Sequence, residues 1–372
     1  MTFDEVAKQI DDWVAEGAVP GASIAVAHRG ELVSQRHAGE ARPGVPVSDE
    51  TLFGMASLSK PITAAAVMAL VDDGLLDLDA AVTDVLPDFG GDVNPLHANA
   101  MLEAQRDDIT FRHLLAHTAG LPENVSPELF QPSSLASREE QTVLMLMTPL
   151  TSAPGEQLRY SNLGPGIAAR AAEIVTGEDF LDIVRAKVLE PMELHDIVLA
   201  PKYEEIARIA ELKDPAYEGT PFETYNSDWW RQTAVPWGGY YGSARDMLRF
   251  TTSFLPDSES MLSNNAQLEM TNDQVKGVEG GVESMRTIWS PGYWAVGWEM
   301  KGTKPKHWTG NLTSPNTWDH WGFAGTLAWA DPDRELAATV FANRSVTSMW
   351  MFRPSRWTNL CDDLCKVADA MP

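Results

Sequence analysis

Strand-like alternation of apolar and polar residues is confined to the two ends of this chain of 372 residues, and the stretch between them reads as helices. Near the start, "FDEVAKQIDDWVAEG" has apolar residues at helical spacing and stops at Gly17. "ASIAVAHRGELVSQRHAGEA" then alternates about Arg29-Gly30, the pattern of a β-hairpin. Beyond about residue 285, "YWAVGWEM" and "GTLAWADPDRELAATVFANR" alternate again, the second around the turn "DPDRE", and a helical stretch follows. From about 76 to 284 the chain carries helical segments such as "GPGIAARAAEIVTG" and "EDFLDIVRAKVLEPM", separated by loops with Pro and Gly. The simplest arrangement pairs the N-terminal hairpin with the C-terminal strands in one antiparallel sheet flanked by helices. The expectation is an α+β fold, with residues 1–75 and 285–372 forming a sheet domain from both chain ends. Residues 76–284 form an inserted, mainly helical domain, and the functional site lies between the two.

A chain this long buries a large core, and 44% hydrophobic against 22% charged residues marks it as globular. Its formal charge is −25, from 53 acidic against 28 basic residues, so its field repels phosphate backbones and anionic headgroups. Nucleic acid and membranes are therefore not expected partners; solubility or adaptation to high salt accounts for the acidity. The N-terminus shows no basic segment followed by an unbroken apolar run, which predicts a cytoplasmic protein. Cys361 and Cys365, the two cysteines, sit four apart in the C-terminal helical stretch and fit reduced thiols.

"GMASLSKPITAAAVMALVDDG" reads as a buried helix from about Ser57 to Asp73, stopped by Gly74, with Pro61 tolerated near the first turn. It places Ser57 and Lys60 on one helical face, their β-carbons roughly 5 to 6 Å apart. A serine hydroxyl needs a base to become a nucleophile. A lysine serves as that base only if its surroundings pull its pKa down from about 10.4, and a shift of about three units costs roughly 4 kcal/mol. Ser-x-x-Lys alone is common, but two further motifs accompany it: Tyr160-Ser161-Asn162 in "PGEQLRYSNLGPG" and His320-Trp321-Gly322 in "DHWGFAGTLAWADP".

With these three motifs in this order the chain resembles the serine β-lactamase and penicillin-binding-protein superfamily. The likeness is to its class C-like branch of family VIII carboxylesterases and D-Ala-D-Ala peptidases. The likeness covers nearly the whole chain, since "VPGASIAV", "LLAHTAGLP" and "WADPDRELAATVFANR" also resemble the family's phrases. It implies a β-lactamase/transpeptidase-like fold without a cofactor or a metal. It makes Ser57 the nucleophile, Lys60 its proton acceptor or organiser, Tyr160 the second acid/base group and Asn162 the group that orients Lys60. His320 and Gly322 would line the cleft, and the backbone N–H of Phe323 would join that of Ser57 in an oxyanion hole. A lysine ammonium beside Tyr160 would pull its phenol pKa down.

Two residues depart from the β-lactamase pattern. His320 stands where lysine is usual, and bulky Trp321 where Ser or Thr is common, so the groups expected to meet a penicillin carboxylate are missing. With Trp321 turned into the cleft and Trp229, Trp230, Trp237 and Tyr240 as candidate pocket walls, a carboxylesterase for short-chain or small apolar esters is the leading reading. A D-amino-acid peptidase or amidase, a weak β-lactamase, and a non-catalytic binding protein on the same scaffold are the alternatives. His113 and His117, four apart in "RHLLAHTAG", lack the glutamate of a zinc motif and read as helix-end packing. No G-x-S-x-G is present to supply a different nucleophile.

Overall fold

A computed structural model describes residues 1–90, 99–125, 136–353 and 355–371. Its centre is a seven-stranded antiparallel sheet drawn from both chain ends. In spatial order the strands are Glu299–Met300, Trp318–Gly322, Thr326–Asp331, Leu336–Ala342, Gly21–His28, Glu31–Arg42 and Val45–Pro46. The junction between the ends is continuous, with Ala22 opposite Ala342 and His28 opposite Leu336. At the first hairpin Arg29 and Gly30 both take positive φ, 55° and 79°, the two-residue turn that matches strand twist.

Gly21–His28 is buried on both faces. Its period of two sorts side chains into separate cores: Ala22, Ile24 and Val26 face one, Ala25 and Ala27 the other. On the first face lie Phe3, Val6, Ile10 and Trp13 from the N-terminal helices Phe3–Ala7 and Gln9–Ala15. Leu360 and Leu364 of the C-terminal helix Arg356–Asp369 join them. Small alanines on the other face let the helix Ala244–Thr252 pack closely through Met247 and Leu248, in one core with the helices Ser59–Asp72 and Leu163–Thr176.

Ser59–Asp72 runs through the centre of that core: its residues from Ser59 to Leu70 are all buried. The helix ends with Gly74 in the left-handed region, φ 72°. Its start differs from the sequence expectation. The α-helix begins at Ser59, and Ser57 lies in a preceding 3₁₀ turn, Ala56–Leu58, entered through a left-handed Ala56 with φ 50°. Such a turn eclipses residues i and i+3, so it keeps Ser57 beside Lys60. Among the described residues no helix is long and apolar enough to cross a membrane.

Candidate active site

The Ser57 turn is pinned from two sides. The Thr326 hydroxyl donates to the Met55 carbonyl at 3.0 Å, and a β-carbon added to Gly322 would lie 2.2 Å from the same oxygen. Only a glycine lets the end of the Trp318–Gly322 strand come this near. From the helical side, the Met55 amide bonds the Tyr240 carbonyl at 2.9 Å, and the Tyr240 amide bonds Ser59 Oγ at 3.2 Å. Among the described residues, the amides of Ser57 and Phe323 are left without an acceptor.

Lys60, 1% exposed, has three oxygen neighbours at its Nζ: Ser57 Oγ at 3.0 Å, Asn162 Oδ1 at 2.7 Å and the Trp237 carbonyl at 2.7 Å. Burial pushes its pKa well below the ordinary lysine value, opposed by the carboxylate of Glu123. Asn162 is fixed in turn, its amide bonding the Glu123 carbonyl at 2.8 Å and its Nδ2 bonding Asn124 Oδ1 at 2.8 Å. Lys60 Nζ also lies 4.8 Å from the centre of the Tyr160 ring.

The expected fall in the Tyr160 pKa is not what this site produces. Burial raises the phenol well above its usual value, with Ser57 only partly offsetting it. The reason is complete burial: desolvation disfavours the phenolate more than any neighbouring group favours it. His320 is uncharged. Its Nδ1 lies 2.8 Å from the Trp321 carbonyl and so carries the proton, while Nε2 is buried without a partner. Burial, with Lys60 adding to it, lowers the His320 pKa to about 3.

Strand alternation puts Trp321 on the face opposite His320. Its ring centre is 5.5 Å from that of Trp308, and it is only 8% exposed, so it offers little open surface to a ligand. That corrects the picture of a ring turned into the cleft. Tyr240 is fully buried, with its hydroxyl 3.2 Å from that of Thr63, and is a core residue rather than a pocket wall. Trp230 packs between Tyr225 and Trp229. Trp229 donates to the Ala136 carbonyl and borders a cavity of about 1260 Å³ with Arg138, Glu173 and Phe180; Ser57, Lys60 and Tyr160 do not line it. Trp237 does reach the site, but through its carbonyl.

Sequence reasoning passed over that carbonyl, because a backbone oxygen carries no residue signature. It also gave His117 no role at the site. The structure places His117 at φ 60° and 2% exposed, its ring centre 4.7 Å from that of Tyr160. His113 bonds back to the Thr110 amide as part of a helix cap, so the two histidines do different jobs. Behind the site, Glu299, His307 and Asp319 come together, all fully buried. Lys304 donates to Glu299 at 2.7 Å and already balances its charge. Lys304 and His307 outweigh the effect of burial and hold Glu299 down to about 2, while burial drives Asp319 well above the carboxylate range. Cys361 and Cys365 are buried free thiols.

This fold with a buried lysine against a serine hydroxyl defines the class: a serine hydrolase of the β-lactamase and penicillin-binding-protein superfamily. A family model described as Beta-lactamase matches residues 4–353, and the chain belongs to that family. It is 28% identical over 312 residues to Penicillin-binding protein 4 of Amycolatopsis lactamdurans, covering 80% of this chain and 77% of that one. It is 30% identical over 269 residues to Esterase EstB of Burkholderia gladioli, covering 64% and 66%. The crystal structure of a family VIII carboxylesterase superposes with a TM-score of 0.77 at 22% identity, over 97% of this chain and 96% of the other, a likeness of fold.

Proposed function

We propose that this chain is a carboxylesterase acting on uncharged, short-chain or small apolar esters through an acyl-enzyme on Ser57. The observation that carries the reading is the set of partners around Lys60 Nζ. A neutral amine has two N–H donors and one lone pair. The carbonyl oxygens of Asn162 and Trp237 take the two donors, which leaves the lone pair for the Ser57 hydroxyl. Lys60 is then the base, and Tyr160, kept protonated by burial, is the acid.

In acylation Ser57 Oγ bonds to the ester carbon as its proton passes to Lys60. The amides of Ser57 and Phe323 hold the oxyanion. The carbon–oxygen bond to the alcohol breaks, the leaving oxygen takes the Tyr160 proton, and Lys60 returns a proton to Tyr160. Water then attacks the acyl carbon by the same path in reverse and releases the acid. Ser57, Lys60 and His320 would come from the sheet domain of residues 1–75 and 285–372, and Tyr160, Asn162 and Trp237 from the helical insert of 76–284.

An uncharged His320 offers no cation to a substrate carboxylate, which favours esters over β-lactams. The name of the EstB relative points the same way. A turnover panel tests the reading: p-nitrophenyl acetate and butyrate, a D-amino-acid anilide and a chromogenic cephalosporin. The esters are expected to give the highest kcat/KM by at least about 100-fold, a gap of about 2.7 kcal/mol in barrier. Faster turnover of the cephalosporin or the anilide would overturn it.

A further inference from the structure

We infer that His117 is a positioning residue that clamps Tyr160, a role that rests on the proposed site. Three successive backbone amides fix the tyrosine's stretch of chain. The Arg159 amide donates to the His117 carbonyl at 2.8 Å, the Tyr160 amide to the Gly281 carbonyl at 3.1 Å, and the Ser161 amide to His117 Nδ1 at 3.2 Å. One residue thus holds the chain on both sides of Tyr160, with its main chain before the tyrosine and its ring after it.

Both bonds depend on how His117 is built. Its left-handed backbone, φ 60°, follows the end of the helix Phe111–Leu115 and turns its carbonyl to Arg159. An L-residue takes that conformation at a cost of roughly 1 to 2 kcal/mol, so surrounding contacts must hold it. Acceptance at Nδ1 requires a ring without a proton there, and complete burial secures the neutral form by lowering the pKa well below the ordinary histidine value. The ring also closes a cage. His117, Trp294 and His320 have ring centres 4.7, 5.7 and 6.0 Å from that of Tyr160, and His117 meets Trp294 edge-on at 4.9 Å. A hydroxyl that must serve both Ser57 and a leaving oxygen needs its ring fixed to within about 0.5 Å, and a buried cage bonded at neighbouring amides supplies that.

Two substitutions separate the ring from the backbone. His117→Gly keeps the left-handed φ and the carbonyl but removes the Nδ1 acceptor, and His117→Asn tolerates the same φ while offering Oδ1 in its place. With p-nitrophenyl butyrate, His117→Gly is expected to lower kcat about 30- to 100-fold with KM changed less than about threefold, and His117→Asn to recover kcat to within about fivefold of wild type. Each is then made in a Tyr160→Phe background. A clamp acting through the Tyr160 hydroxyl has nothing left to position there, so His117→Gly should cost less than about twofold more.

Equal losses in both backgrounds, or wild-type kcat in His117→Gly, would overturn the clamp while leaving the site assignment standing. Full activity in Tyr160→Phe alone would instead show that the proposed function is wrong. Should His117→Gly fail to fold, His117→Ala, which also lacks the acceptor, carries the same comparison in the two backgrounds. An Asn variant as poor as a Tyr160 deletion would then count against the shared acceptor geometry.

Discussion

Ser57, Lys60 and Tyr160 are legible in the sequence because each chemistry needs a side chain of fixed type, and side chains are what a sequence spells out. Their protonation is not legible, since it depends on burial. A phenol buried among three rings reverses the expected direction of the tyrosine shift. One consequence is testable. Lys60→Arg, with a guanidinium that stays charged, and Tyr160→Phe should each lower kcat by about 10³-fold or more, and the double variant should be little worse than either. Steady-state rates with p-nitrophenyl acetate decide it, and fully multiplicative losses would show that the two groups work independently. Because burial lowers the lysine pKa, the ascending limb of kcat/KM against pH should also finish well below the ordinary lysine value of about 10.4.

Elements show a different division. The hairpin about Arg29-Gly30 and the strands flanking "DPDRE" follow from alternation and turn residues, and the sheet contains both. What alternation does not say is which face meets which neighbour. The segment 236–240 reads as an aromatic wall, yet it grips the Ser59–Asp72 helix by main-chain atoms. Thr63 bonds the Pro236 carbonyl at 2.7 Å, Lys60 the Trp237 carbonyl, and Ser59 the Tyr240 amide. Close approach makes Gly322 a sensitive point of the strand beside it. Gly322→Ala should leave the circular dichroism spectrum unchanged and lower kcat at least about 100-fold, because a β-carbon 2.2 Å from the Met55 carbonyl forces the strand off the Ser57 turn. Trp321→Thr should act mainly on stability, costing about 3 kcal/mol in denaturant unfolding through lost packing against Trp308.

At the scale of the whole molecule, where the formal charge is −25, the interior sets the pH response. Burial lowers the pKa of His28, His113, His117, His307 and His320. Below about pH 6.5 the unfolded chain takes up protons that these folded histidines refuse, so they make stability fall as pH falls. Asp246 and Asp319, raised chiefly by burial, act the other way, their folded forms holding protons that the unfolded chain loses above about pH 4. Five groups outweigh two, so Tm should rise from about pH 4.5 to 6.5, and scanning calorimetry across that range checks it. A Tm highest at pH 4.5 would contradict the balance. Union of the chain ends in one sheet was legible from where alternation stops and resumes. The Glu299, Lys304, His307 and Asp319 cluster was not, because its members meet only when a strand edge and a loop fold together.

The central claim is that Ser57 carries the acyl group. Intact-mass and peptide analysis after exposure to a fluorophosphonate, in the wild type and in a folded Ser57→Ala variant, measures it directly. The account predicts one adduct, on the peptide containing Ser57, and none in the variant. An adduct on another serine, or equal labelling of Ser57→Ala, would contradict it.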